Sequence, residues 1–383
     1  MTTPVGEYYL DHASSTSMRQ SAIEAMRVFT ETQHGNASGQ HMASRRAKNA
    51  LEDARERAAE MIGAGRPHDV IFTSGGTESD NLAVIGTALA SERPRVIVSA
   101  VEHKAVLEAA RSLVSRDREV VLAPVDANGV ISATGWEVLV DTPTSLVSVQ
   151  TANNEVGVIQ PIREIAGRVR EVDADVVVHT DGAQSFVSNG LDVASLGVDL
   201  ASLSGHKFGG LTGVGLLYVA PGTRIEPLIV GGGQEAGLRS GTSNVAGIVA
   251  MVAAMEDAVA DREGFTRRTE TERDAFEAVL TGADRGVAVT ARGVERLPHF
   301  SHFRVPGIDA ETLLIRLDQI GVFASAGSAC QSGALEPSHV LTAMGFNATE
   351  AGECARFTFG WDSPVGIGEA AACAVLDVIG ELA

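Results

Sequence analysis

Val176-Val177-Val178-His179-Thr180-Asp181-Gly182-Ala183-Gln184 decides how the rest of the chain is read. It is an apolar strand that ends in an acid and a glycine turn. Further short apolar runs lie on either side of it, at residues 70–72, 95–100, 145–149 and 200–203. Helical or turn-rich stretches such as Ile162–Val172 separate them. Strands alternating with helices imply crossover connections and a parallel sheet, so the expected class is α/β. Upstream, residues 45–61 place Ala47, Ala50, Leu51, Ala54, Ala58 and Met61 at helical spacing with charges opposite, the pattern of an amphipathic helix.

Residues 257–273 are strongly charged, and beyond them the elements are fewer and more widely spaced. Strands are expected at 299–305, 322–326 and 356–359, and helices at 310–320, 337–345 and Ile367–Leu382. The expected organisation is a large, mostly parallel-sheet α/β domain over residues 15–257. A smaller α+β domain would comprise residues 258–383 with segment 1–14. No internal repeat or low-complexity segment interrupts this plan.

Composition narrows the function. The 383 residues are 44% hydrophobic and 21% charged, as in ordinary globular proteins. Thirty basic against forty-nine acidic residues leave a formal charge of −19, which repels a phosphate backbone and argues against strong direct nucleic-acid binding. The longest apolar run, residues 245–255, is too short to span a bilayer, so no membrane association is expected. Glu7, Asp11, Arg19 and Glu24 punctuate the first thirty residues without an apolar stretch, unlike a secretory signal or presequence, and a cytoplasmic location is expected. Neither H-E-x-x-H nor paired Cys/His spacing occurs, so no metal is expected.

Three local patterns carry chemistry. In Ile71-Phe72-Thr73-Ser74-Gly75-Gly76-Thr77-Glu78-Ser79-Asp80 a strand meets a glycine turn, and Thr77 precedes Asp80 by three, a helix-start signature. Free amides and the helix dipole there form an anion site, although any strand-to-helix turn can contain two glycines. Ser204-Gly205-His206-Lys207-Phe208-Gly209-Gly210 puts a lysine at a strand end among glycines. Burial there would lower its pKa and make it a Schiff-base nucleophile. Asp181 at the end of a buried strand is costly without a cation, which a protonated pyridine nitrogen would supply; a helix-capping aspartate is the plainer alternative. Taken together, the acid, the lysine and the anion turn are the parts that pyridoxal phosphate requires.

With those parts in view, the chain resembles the cysteine desulfurases of the class V aminotransferase family, fold-type I pyridoxal-phosphate enzymes, from Tyr9-Leu10-Asp11 to Arg356-Phe357. The resemblance implies that Lys207 holds the cofactor, Asp181 pairs with the pyridine nitrogen, His103 stacks on the ring and Gln184 bonds its phenolic oxygen. Gly76, Thr77, Ser204 and His206 would hold the phosphate, with Thr242 reaching it from the second subunit of a homodimer. Asn154 and Arg356 would bind L-cysteine, the arginine because its planar fork matches a carboxylate. One departure is His12-Ala13-Ser14-Ser15, which stands for an Asn-Ala-Ala-Thr type segment.

Of the three cysteines, Cys330 lies in Ala324-Ser325-Ala326-Gly327-Ser328-Ala329-Cys330-Gln331-Ser332-Gly333, where small residues leave the thiol shallow. Cys373, between Ala372 and Ala374 and close to Val375 and Leu376, reads as buried and inert, with Cys354 intermediate. The resemblance makes Cys330 the persulfide residue that passes sulfur to an acceptor protein. The acceptor could serve iron–sulfur assembly, tRNA thiolation, DNA phosphorothioation or thio-natural-product synthesis. The chain's end and its acidic surface suggest a dedicated basic carrier. A selenocysteine lyase or an aminotransferase-type relative uses the same scaffold; transamination does not need Cys330, whereas sulfur abstraction does. A non-catalytic scaffold subunit would have no reason to keep Lys207, Asp181 and Cys330 together.

Overall fold

The computed structural model describes residues 7–327 and 337–382. Its strands are β1 (Tyr8–Tyr9), β2 (Val70–Thr73), β3 (Arg95–Ser99), β4 (Glu119–Ala123), β5 (Thr144–Ser148), β6 (Val177–Asp181), β7 (Leu200–Ser204), β8 (Gly215–Val219), β9 (Ala288–Val289), β10 (Phe300–Arg304), β11 (Val322–Phe323) and β12 (Cys354–Thr358). Seven of them form a sheet in the order β2-β8-β7-β6-β5-β3-β4. The run from β4 to β7 is parallel, and β8 is antiparallel to both neighbours. The exception has a simple cause. Residues 205–214 between β7 and β8 are too few for the crossover that a parallel return needs.

Alternation places successive strand residues on opposite faces. Val70, Phe72, Ile97, Val147, Val178, Ala201, Leu203 and Leu216 enter one core with the helices Met42–Met61 and Val245–Ala260. Ile71, Val96, Val98, Leu146, Leu200 and Leu217 enter a second with Gly76–Leu89 and Lys104–Ser112. Both faces are covered, as parallel sheets require.

A second, antiparallel sheet, β12-β10-β9, carries the helices Arg262–Gly282 and Ile367–Leu382. Their shared core centres on Phe276, whose ring centroid lies 4.9 Å from Phe357 and 5.8 Å from Phe303. The charged stretch 257–273 is helical on both sides of Asp261, and its buried stripe includes Phe265, Thr269 and Glu272. The N-terminal segment is stitched to this half: β1 pairs with β11, and Thr358 donates its amide to the Leu10 carbonyl at 2.7 Å.

Several element ends differ from expectation. The helix read at 45–61 starts at Met42, because His41 Nδ1 accepts the Ser44 amide. The strand read at 322–326 stops at Phe323. Cys373 was expected buried and is exposed: Ala371, Ala372, Val375, Val378 and Ile379 take the inward stripe of the last helix, and position 373 falls on its outer side. Cys354 is buried, its thiol pushed up to about 12 by that burial. Among the described residues no helix is long and apolar enough to cross a membrane.

Phe276 is fully buried among aromatic neighbours that cannot close over a void. Phe276→Ala is expected to cost about 3–5 kcal/mol, read as a lower denaturant midpoint with an unchanged slope. A loss under about 1 kcal/mol would show that this core is loosely packed.

Candidate active site

The site forms where strand ends leave polar groups without partners. After β2 the chain turns at Ser74 and Gly75, and the helix Gly76–Leu89 begins with no side chain capping it. Its first amides remain available to an anion. Gly75 has φ +148°, which favours glycine, and a Cβ on Gly215 of β8 would sit 2.6 Å from the Gly75 carbonyl carbon. The turn can therefore lie against β8 only because position 215 lacks a side chain. Glu78 braces it, accepting the Ser74 amide at 2.8 Å and Arg239 Nε at 2.8 Å. The helix starts at Gly76, one residue before the Thr77–Asp80 signature. Thr77 thus lies within the first turn, and Asp80 is buried below it.

Facing this turn is a cavity of about 370 Å³. Gly76, Thr77, His103, Asn154, Asp181, Gln184, Ser204, His206 and Lys207, all singled out in the sequence, line it together with Asp80, Gln150 and Thr212. Asp181 ends β6 and accepts the Ala183 amide at 2.9 Å. His103 caps the helix Lys104–Ser112, its Nδ1 accepting the Ala105 amide at 3.2 Å. Burial lowers its pKa, opposed by Asp181 and aided by Lys207 nearby. His206 is held down at about 4 by burial and by Lys207.

Lys207 stands in the short 3₁₀ turn after β7. Its Nζ donates to the carbonyl oxygens of Ala13 at 2.6 Å and Ser14 at 2.9 Å. Burial, then the positive charge of Arg356, lowers its pKa to about 8; Asp181 and Asp11 oppose the shift. The same strand of N-terminal chain touches Gln184, whose Nε2 donates to the Ala13 carbonyl at 3.1 Å, and His206, whose Nδ1 lies 3.2 Å from Ser15 Oγ.

Two expected residues sit apart from the cavity wall. Arg356, in β12, is buried; its Nη1 donates to the Asn154 carbonyl at 2.6 Å and its Nη2 to Asp11 at 2.5 Å and Ser14 Oγ at 2.8 Å. Thr242 is exposed, ahead of the helix Val245–Ala260. Its neighbours Gly241 and Ser243 line a smaller recess that shares Ser74 and Gly213 with the main one. Cys330 lies outside the described residues. His12 is packed away from the cavity, between the Tyr9 carbonyl and Thr16. Asp11, Ala13, Ser14, Gln150 and Asp80 were not read as site residues. They are brought in by tertiary contact and carry no spacing signal.

The donor set fits pyridoxal phosphate. Open amides at Gly76 suit a phosphate, and a Cβ there would come within 3.1 Å of the Ser204 Cβ, narrowing the cradle. Asp181 offers a carboxylate on the same cavity as an amine of depressed pKa. Buried Asn154 Oδ1 and Arg356 Nε have no partner within the described chain, leaving polar capacity for a bound molecule.

Residues 8–364 match the aminotransferase class-V family. A cysteine desulfurase of Dictyoglomus turgidum is 41% identical over 356 residues, covering 92% of this chain and 90% of that protein. Among solved structures, a NifS-like protein superposes with a TM-score of 0.90 at 33% identity, covering 98% of this chain and 99% of its own. A protein named SspA, solved in complex with cysteine, has a TM-score of 0.81 at 33% identity, covering 93% of this chain and 99% of its own. The chain belongs to the class-V aminotransferase family, among the pyridoxal-phosphate-dependent cysteine desulfurases.

Proposed function

We propose that the protein converts L-cysteine to L-alanine, leaves the sulfur as a persulfide on Cys330, and hands it to an acceptor protein. The observation that carries this reading is Lys207: an amine of lowered pKa at the end of a buried strand, on the same cavity as Asp181 and His103. The neighbour solved with cysteine supports the substrate.

Bound at Lys207, pyridoxal phosphate supplies an electron sink for charge developing at the substrate α-carbon. Asp181 would pair with its ring nitrogen, His103 would pack on the ring and Gln184 would bond its phenolic oxygen. Gly76, Thr77, Ser204 and His206 hold the phosphate. Arg356 and Asn154 receive the substrate carboxylate. Lys207 Nζ, its pKa lowered to about 8, would be the base placed to take the substrate α-proton when it is unprotonated. The thiolate of Cys330 attacks the substrate sulfur. The new S–S bond forms as the substrate Cβ–S bond breaks, the electron pair stays with carbon and is protonated, and cysteine plus thiol become alanine plus persulfide.

The working unit is proposed to be a homodimer in which Thr242 completes the partner's phosphate site. Consecutive exposed residues Leu228, Ile229 and Val230, upstream on the same surface stretch, suit an interface. We assign residues 15–257 to a cofactor-binding domain and 258–383, with 1–14, to a small domain bearing Cys330. A charge of −19 favours an acceptor with a basic face, attracted less as salt rises, in a cytoplasmic setting.

Three measurements test this reading. A lysine pKa lowered to about 8 leaves the neutral, nucleophilic amine above that value and the inert ammonium below it. Incorporation of pyridoxal phosphate into apoprotein should therefore speed up as pH rises through about 8, and Lys207→Ala should abolish turnover. A purified protein that takes up no pyridoxal phosphate would refute the function.

Cys330→Ser should keep the cofactor and bind cysteine yet transfer no sulfur, whereas Cys354→Ser and Cys373→Ser should transfer normally. Wild-type persulfide yield from Cys330→Ser would assign another thiol. Sedimentation should give twice the chain mass, and a fully active monomer would rule out a site shared through Thr242.

A further inference from the structure

Asp181 is not the only acid beneath the cavity. Asp80, on the second turn of the helix Gly76–Leu89, is 1% exposed, and its Oδ1 has no hydrogen-bond partner among the described residues. Ligand-capable atoms of Asp80, Asp181 and His103 all lie within 4.8 Å of one another. No lysine or arginine pairs with Asp80 among the described residues. The groups facing it are Asp181 and His179 from β6, Ser202 from β7, Glu102 from the turn after β3, and His103.

These neighbours cannot neutralise two carboxylates. His179, 3.7 Å from Asp80 Oδ1, has both ring nitrogens occupied, by Ser148 Oγ at 2.8 Å and Ser202 Oγ at 3.0 Å. Burial holds it at about 3, so it carries no charge. Glu102 is itself buried and pushed upward by burial and by Asp181, with Oε1 used by the Gln150 amide. Two like charges within 4.8 Å of one another, one of them fully buried, disfavour each other's ionisation. Position decides between them. Asp181 accepts the Ala183 amide at the end of its strand, whereas Asp80 is driven well upward by burial first and by Asp181 second, opposed only by Ser202.

We propose that Asp80 is a positioning residue: a neutral carboxylic acid that presents its proton to Asp181, holding that carboxylate as the single negative charge beneath the cofactor ring. The role rests on the desulfurase reading and deepens it. It gives the pair one proton and one charge, which a protonated ring nitrogen balances.

The test uses the holoprotein. Asp80→Asn keeps the shape and the hydrogen donor of a neutral acid. It should leave cofactor stoichiometry at wild type and shift the pH midpoint of the bound cofactor's visible absorption by less than about half a unit. Asp80→Leu removes the donor and should weaken pyridoxal phosphate binding by about tenfold or more.

If Asp80 is charged, the asparagine variant removes a negative charge beside the ring and the midpoint falls by about one unit or more, overturning the proposal. Equal cofactor affinity in the two variants overturns it as well. The wild-type holoprotein at neutral pH should show an infrared C=O band of a protonated carboxyl that is lost in Asp80→Asn, which distinguishes it from any band of buried Glu102. Absence of such a band sinks the proposal alone, and a wild type that holds no pyridoxal phosphate sinks the functional reading with it.

Discussion

The carboxylate of Asp181, at the carboxyl end of a strand buried on both faces, is the constraint around which the site is arranged. A buried anion is tolerated only when a cation or several donors meet it. One backbone amide does so here, from Ala183. Its field is felt outward: it raises Asp80 and Glu102, both fully buried, and it opposes the loss of charge at Lys207 and His103. On the role proposed for Asp80, a floor holding three acids carries one negative charge, at Asp181. Parallel strands ending at one edge are what make such convergence possible, since β3, β5, β6 and β7 all deliver their last residues to the same side.

The second constraint is the N-terminal strap. It pairs with β11, bridges to β12 and then crosses to the large sheet, where the carbonyls of Ala13 and Ser14 hold Lys207 Nζ. Carbonyls accept from an ammonium, but they supply no full negative charge to offset burial. The lysine is oriented without being locked in its charged form, and Arg356 shifts it further toward neutrality. Farther along, Arg19 fixes the loop after Lys207, its Nε donating to the Phe208 carbonyl at 2.9 Å and its backbone amide to Gly209 at 2.8 Å. A segment with only a two-residue strand thus ties the antiparallel half to the amine.

Most of the scaffold was legible because it depends on local pattern. Five strands of the large sheet, β2, β3, β5, β6 and β7, and the helices Ile162–Val172 and Ile367–Leu382 follow apolar runs and hydrophobic periodicity that the chain carries in its own order, whereas the edge strand β4 and the antiparallel β8 were not read. The polar residues that end those strands were legible too, since a lysine among glycines or an acid after three valines is out of place locally. What escaped was set by contacts across the chain. Asp80 reads as part of a helix-start pattern, yet it is buried because its helix lies on β5, β6 and β7. Cys373 has apolar neighbours in sequence but faces outward, because one residue's rotation on a helix decides exposure. Asp11 and Ser14 join the site through the strap, more than 340 residues from the β12 arginine that they meet.

That arginine shows why the long-range contacts matter. Arg356 is 3% exposed, and a buried guanidinium without an anion would be strongly destabilising. Asp11 supplies the anion, and the Asn154 carbonyl and Ser14 complete most of its donor fork, leaving Nε over. On the proposed assignment, a substrate carboxylate arrives at a cation that already has a partner. Its binding energy is then the difference between two arrangements of the same guanidinium, and not the whole worth of a buried ion pair. The arrangement keeps Arg356 oriented between turnovers, and it limits how tightly any carboxylate, substrate or product, can be held there. Because Asp11 belongs to the strap whose next residues hold Lys207, movement of that carboxylate is mechanically connected to the amine at the centre of the cavity.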